Sequence, residues 1–289
     1  MNRVLENAVT ALSSGDYATA LKTLRPLAAQ GQPDAQYNLG VMYREGHGVP
    51  QDYGEALKWL RLAAVQGHVE AQTNLGVMYA MGLGVPQDYT EAVKWFRLAA
   101  AQGQPNAQYN LALIFFHGHG VPQDYAEALK WFRLSAAQGD AAGQTSLGVM
   151  YDKGHGVPQD YTEAVKWFHL SAAQGNTDAQ YNLGMMYRDG IGVPQDDTEA
   201  VKWFRLAAEQ GDPGAQHNLG VMYRDGTGVP QDYVRAHMWF SLSAAHSTGD
   251  DQKLAAKNRN NVASCMTPAQ IAEAQRLAQQ CQAQQFKGC

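Results

Sequence analysis

Apolar positions in this chain recur with the rhythm of one helix face. In Ala35-Gln36-Tyr37-Asn38-Leu39-Gly40-Val41-Met42-Tyr43, the residues Ala35, Leu39, Met42 and Tyr43 are spaced by four, three and one, which puts them on one side of an α-helix. Gly46 supplies a left-handed cap, Gly48 keeps the turn open, and Pro50 cannot continue a helix. Asp52 then predicts the N-cap of a second helix, with Glu55 three residues on as an acidic capping box. That helix runs through Ala56, Trp59, Leu60, Ala63 and Ala64 and stops at Gly67. Glu55 and Lys58 pair on its solvent side, for about 0.2–0.5 kcal/mol. The pattern predicts a helix pair and no strand.

The same pattern returns every 36 residues. Trp59, Trp95, Trp131, Trp167, Trp203 and Trp239 keep the beat, as do Leu39, Leu75, Leu111, Leu147, Leu183 and Leu219. A period in this range marks one supersecondary unit copied and stacked. With Ala35 first, the copies cover 35–70, 71–106, 107–142, 143–178, 179–214 and 215–250. Asp16-Tyr17 matches Asp52-Tyr53, and Leu27 to Gly31 gives a shifted match to Leu62 to Gly67, so an incomplete copy precedes them with an opening helix near residues 2–14. The organisation is therefore 1–34 as a divergent N-terminal repeat, 35–250 as six repeats, and 251–289 as C-terminal capping helices with a cysteine-containing tail. Gly40 lies mid-helix, at a cost of about 1 kcal/mol against alanine. Its return at Gly76, Gly148, Gly184 and Gly220, with Ala112 in the third copy, predicts a neighbour too close for a side chain. The Trp-Phe pairs are in phase with the buried stripe, and Trp59 and its copies are expected to pack on the next pair. After Trp239 the pattern lapses. A polar helix near 250–263 is expected, then a helix from Thr267-Pro268-Ala269-Gln270 to about residue 283, covering the last pair with Ile271, Ala274, Leu277 and Ala278.

The unit Ala-Gln-Tyr-Asn-Leu-Gly-Val-Met-Tyr-x-x-Gly-x-Gly-Val-Pro-Gln-Asp-Tyr-x-Glu-Ala-x-Lys-Trp-Phe-Arg-Leu-Ala-Ala resembles the Sel1-like repeat over residues 16–246. This is a relative of the tetratricopeptide repeat with a longer loop between its helices. The resemblance implies an all-α fold: a right-handed α/α superhelical solenoid of about seven helix pairs plus C-terminal capping helices, its concave surface lined by the first helices. It implies a non-catalytic bacterial adaptor or scaffold for a protein or peptide partner, with no cofactor. One branch of the family carries a cysteine pair in every unit, and it supplies the alternative, an envelope enzyme that handles cell wall or hydrolyses β-lactams. The repeats here lack those cysteines, so that chemistry does not carry over. The ending, with Cys281 and Lys287-Gly288-Cys289, resembles exported bacterial members.

Composition narrows this further. Of 289 residues, 45% are hydrophobic and 17% charged, enough apolar content to fold. The net charge of −5 argues against nucleic acid, which needs a clustered basic face. No apolar run approaches the roughly 18 residues that cross a bilayer. Met1 to Thr10 lacks a cationic stretch followed by an apolar one, so no leader is expected in the sequence as given. The expected compartment is periplasmic or extracellular if a leader has been removed, and cytoplasmic otherwise. Cys265, Cys281 and Cys289 all follow the array. Three free thiols would fit an intracellular protein, and a Cys281–Cys289 bridge an oxidising compartment. Cys265 and Cys281 are separated by a helix of roughly 24 Å, beyond the roughly 7 Å a disulfide spans.

In tetratricopeptide relatives, ligands meet outward positions of the first helix, here the third, seventh, tenth and eleventh of each unit. This selects Tyr37, Tyr109, Tyr181 and His217 at the third, Arg44, Phe116, Arg188 and Arg224 at the tenth, and Met81 and His117 at the eleventh. These positions vary between copies, as either an unconstrained surface or a ligand surface would. Ala80, Met81, Ile114 and Phe116 make an apolar middle between Arg44 and the pair Arg188 and Arg224, which suits a peptide with a hydrophobic anchor and acidic flanks. A monomer is expected. His117 and His119, with His47 and His155, lack the cysteine or carboxylate that would complete a metal set. The Gly-x-Gly loops follow a helix, unlike a dinucleotide fingerprint. Ser135, Ser146 and Ser171 replace alanine, asparagine and alanine of the unit, and no catalytic residue is expected.

Overall fold

Capping chemistry decides where the second helices begin. In the computed structural model, which describes residues 3–289, Asp52 Oδ1 accepts from the Gly54 and Glu55 backbone N–H groups at 2.9 and 3.0 Å, opening α4 (Tyr53–Val65). Asp88, Asp124 and Asp196 open α6 (Tyr89–Ala101), α8 (Tyr125–Ala137) and α12 (Asp197–Ala208) in the same manner, and Asp160 and Asp232 open α10 (Tyr161–Ala172) and α14 (Tyr233–His246) by accepting from one N–H each. The capping box expected at Asp52 and Glu55 has one arm only. The Asp52 N–H donates instead to Tyr43 O at 2.9 Å, and the Glu55 carboxylate takes Lys58 Nζ and Trp59 Nε1 at 3.1 and 3.0 Å. Thr267 and Gln270 make both arms at the start of α16 (Pro268–Ala283).

The first helices are α3 (Pro33–Glu45), α5 (Val69–Met81), α7 (Pro105–His117), α9 (Ala141–Lys153), α11 (Thr177–Asp189) and α13 (Pro213–Asp225). An opening pair, α1 (Arg3–Ser13) and α2 (Tyr17–Ala29), precedes them, and α15 (Gly249–Ala263) stands before α16. The described residues contain helices and no strand. They form two compact units, one ending at Asp140 and one from Ala141 to Cys289. Within each, successive pairs stack as in a solenoid, every second helix packing on its own first helix and on the next. No described helix is long and apolar enough to cross a membrane.

The core anchor of each pair is the residue after the tryptophan. Leu60, Phe96, Phe132, Phe168, Phe204 and Phe240 are 0–1% exposed, and fully burying such a side chain stabilises by about 1.5–3 kcal/mol. A Cβ added at Gly76 would lie 2.7 Å from the Phe96 ring, and one at Gly184 2.6 Å from Phe204, so the mid-helix glycine is set by the partner helix of its own pair. Trp59, Trp95, Trp131, Trp167 and Trp203 are only half-buried, and Trp239 alone among the six is buried. Trp59 and Trp203 were expected on the following pair, and the contacts they make lie on the side of the preceding one. Trp59 packs against α1–α3, and Trp203 against α10 and α11. One residue is about 100° of helix: the phenylalanine points into its own pair, and the indole falls at the seam behind it.

Two side-chain rows bind neighbouring pairs. Arg61 donates to the Tyr79 hydroxyl, and Arg205 Nη2 to Tyr223 Oη at 2.7 Å. Where the tyrosine is Phe115, Arg97 lies over its ring at 5.5 Å. The other row is buried. Gln36, Gln72, Gln108, Gln180 and Gln216 donate from Nε2 to the carbonyls of Ala28, Ala64, Ala100, Ala172 and Ala208 at 3.0–3.3 Å. Four of the five accept in turn at Oε1, from Gln66, Gln102, Gln138 and Gln210 at 2.7–2.8 Å. A buried amide satisfied on both sides avoids the penalty of an unpaired polar group. Gln252 of α15 repeats the donation to Ala244 O at 3.2 Å, so this polar helix begins in the register of a first helix. Past it, α16 lies on α14, and Cys281 and Cys289 are joined with Cα atoms 5.6 Å apart while Cys265 is free and exposed.

Candidate partner-binding site

The helical phase sorts the first helices into a packed side and an outward side. At the eighth position Met42, Met78, Ile114, Met150, Met186 and Met222 are at most 5% exposed. Ile114 is thus core, and it leaves the apolar middle proposed for it above. Met81 stays outward at 64% exposure. Phe116 is half-buried, edge-on to His117 at 5.0 Å, to Tyr125 at 5.3 Å and to Phe132 at 6.3 Å. Tyr109 tilts on Phe132 at 5.8 Å. Tyr37 stacks on His68 at 4.6 Å, and that imidazole stands 3.3 Å from Asp34 and 3.4 Å from Glu70.

The arginines expected to meet acidic flanks already hold carboxylates. Arg44 Nε donates to Glu45 at 2.7 Å and its Nη1 to Asn74 Oδ1 at 2.9 Å. Arg188 contacts both oxygens of Asp189 at 2.7 and 2.9 Å and gives Nη1 to Asn218 Oδ1 at 2.7 Å. Arg224 is bidentate to Asp225 at 2.7 Å; hydrogen bonding across this pair raises the arginine pKa and lowers the aspartate's. Arg44 and Arg188 are therefore joints between adjacent first helices as well as surface cations. The asparagine that receives them recurs at the fourth position of several units, and this repetition was the available signal for it.

In the second unit the outward positions converge. Tyr181, Met185 and Asp189 of α11, with Asp152 and Lys153 of α9 and Ile191, surround a cavity of about 190 Å³. Tyr181 also lines a second cavity of about 180 Å³ with Asn218, Ser247, Asp251 and Leu254, and burial pushes its phenol pKa up. His217 stands in the wall of that second cavity, covered by α15. Asn258 lies 2.9 Å from its Nε2, Phe240 tilts against it at 5.4 Å, and burial, then Arg224, lowers its pKa. It is thus tied to the cap, which the first-helix pattern could not show.

The remaining motifs serve packing. His47 stacks on Tyr17 at 4.7 Å, His119 tilts on Tyr89 at 5.0 Å, and His117 stacks on His119 at 5.2 Å. Among the described residues no group of three or more histidine, cysteine or acidic side chains could hold a metal. At Gly48, Gly84, Gly120, Gly192 and Gly228 the second glycine of the loop abuts the preceding second helix: a Cβ at Gly120, φ 66°, would lie 2.5 Å from Tyr89 Cβ. Ser135 Oγ donates to Asp140 at 2.6 Å, and Ser171 Oγ to Ala141 O at 2.7 Å, so both tie helix ends together.

Comparison with known proteins agrees with this architecture. The Sel1 repeat family model matches residues 33–68, 69–104, 105–140, 141–176, 177–212 and 213–247, a phase two residues ahead of one begun at Ala35. The chain is similar to the crystal structure of a protective antigen present in uropathogenic Escherichia coli strains that displays an SLR fold, at 39% identity and TM-score 0.80, covering 90% of this chain and 56% of that one. This chain thus spans a little over half that antigen's length. It is also similar to a Sel1 repeat protein from Oxalobacter formigenes, at 35% identity and TM-score 0.77, covering 84% of this chain and 100% of that one. No curated protein matches it. Six matched repeats, stacked as helix pairs and sealed by the rows described above, establish that the chain belongs to the Sel1 repeat family, whose members are generally non-catalytic scaffolds for protein interactions.

Proposed function

We propose that this chain is an adaptor that holds a protein or peptide partner on the outward side of its first helices. The observation that carries the reading is apolar surface left open where packing does not require it: Met81 at 64% exposure in one unit, and the Tyr181, Met185 and Ile191 cavity in the other. Apolar anchors beside a charged rim are the anatomy of a peptide-binding surface. Because the neighbouring arginines are already paired, the anchor contributes more of the affinity than acidic flanks do. The Cys281–Cys289 bond supports an oxidising compartment, the periplasm or outside the cell. Purification of the intact chain from its native extract, with mass spectrometry of what accompanies it, tests the reading. Met81→Asp or Met185→Asp should reduce recovery of the partner about tenfold, the loss of one well-packed anchor. Wild-type recovery by both folded variants would refute it.

A further inference from the structure

Two of the residues at which the last pair departs from the unit face one place. His237 of α14 occupies a position held by valine or leucine in the other second helices, among them Val165 and Val201 at 5% and 4% exposure. Ser241 stands where those helices carry arginine or histidine. Both line a cavity of about 530 Å³ among α14, α15 and α16, to which α15 contributes Arg259. Asn260, Gln275 and Gln279 add amides, while Ala263, Ile271 and Ala278 give an apolar floor. Among the described residues no acidic side chain lines it.

His237 is 4% exposed, and a polar group there costs stability over valine unless it is hydrogen-bonded. Its Nδ1 lies 3.5 Å from Ser241 Oγ, whose proton is committed to His237 O at 2.8 Å. Among the described residues the other ring nitrogen has no protein partner. Arg259 makes no ion pair among them either; its Nε and Nη2 donate to Asn260 Oδ1 at 3.2 and 3.1 Å. Burial, with Arg259 beside it, lowers the His237 pKa and favours the neutral ring. The cavity thus offers one permanent cation, a neutral imidazole and several amides over an aliphatic floor. One guanidinium matches a single carboxylate, whereas a phosphate dianion calls for more positive charge.

We propose that this cavity is a binding site for a small monocarboxylate with a short aliphatic body. Its carboxylate is held by Arg259 with help from His237, and its carbon chain lies over Ile271 and Ala278. The site is separate from the first-helix surface, so Met81→Asp and Met185→Asp leave it intact, and failure of one reading is not failure of the other.

The test is calorimetric titration of the full-length oxidised chain with butyrate, using butyramide and inorganic phosphate as controls at matched ionic strength. Saturable binding of butyrate, and weaker binding of both controls, is the expected result. Arg259→Gln should weaken butyrate binding about tenfold or more, the loss of a charge-assisted hydrogen bond. His237→Val, which restores the residue of neighbouring units, should weaken it while the unliganded chain melts no lower than wild type. The proposal is overturned if wild type shows no saturable binding, or if butyramide or phosphate binds as tightly as butyrate. Unchanged affinity in Arg259→Gln or in His237→Val overturns it equally.

Discussion

The helices α12 and α14 are copies of one unit, and they meet different surroundings. On the inner side they are alike: Phe204 and Phe240 are both 0% exposed. On the outer side α12 carries Lys202, paired with Glu199 at 2.5 Å, and Leu206 at 44% exposure. In α14 the same two places are Met238 at 3% and Leu242 at 0%. With lysine replaced by Met238, and the Tyr223-bonded arginine by Ser241, this side of α14 seats α16. The exposed leucine needed no change. A face is thus made wet or dry by two residues, while the fold beneath it is held by one aromatic.

The largest expected effect tests the shared inner side. Phe204→Ala and Phe240→Ala should each cost about 3–5 kcal/mol by denaturant unfolding; a clear inequality would mean that the two cores differ. The outer side comes next. Leu242→Ala should cost about 2–4 kcal/mol, whereas Leu206→Ala should stay within about 0.5 kcal/mol, and equal losses would abolish the contrast. Reducing the Cys281–Cys289 bond should lower stability by about 2–3 kcal/mol for so short a loop, with faster amide exchange in α16 and none of note in α12. A smaller effect comes from acid. Burial lowers the pKa of His217 and His237, so the unfolded chain binds their protons more readily. Stability of the capped end is then retained above the unfolded histidine value of about 6.5 and falls as pH drops below it. His237→Val should flatten that dependence in melting curves taken at successive pH values. Lys202→Ala, removing an exposed pair, should change stability by less than about 0.5 kcal/mol.

Much of the fold could be read from residue spacing because caps and periods are local. Asp52 and its copies announced the second helices, and Thr267 with Gln270 announced α16. The mid-helix glycines correctly implied a close neighbour. What could not be read depends on rotation about the helix axis and on chain folding back. Trp59 and Leu60 are adjacent and share one period, so spacing alone does not say which enters its own pair. Ile114 looked outward beside Phe116, yet it sits two residues earlier, in the phase of Met42 and Met78. His217 matched the outward pattern and is covered by α15, whose return is a tertiary event. The buried glutamines were visible in every copy, but nothing local marked them as a row.

That row carries a consequence for how such a molecule lengthens. Each amide hands a hydrogen bond backward and receives one from the end of its own pair, so a duplicated unit inserted upstream finds both partners waiting. At Gln216 the row stops: among the described residues Oε1 has no donor, because His246 stands where Gln210 and its predecessors would supply one and is turned to Leu242 O at 2.8 Å. A unit duplicated from the earlier copies would thus bring both bonds of the row with it, whereas a duplicate of the α13–α14 pair would carry an unfilled amide oxygen unless its histidine were a glutamine.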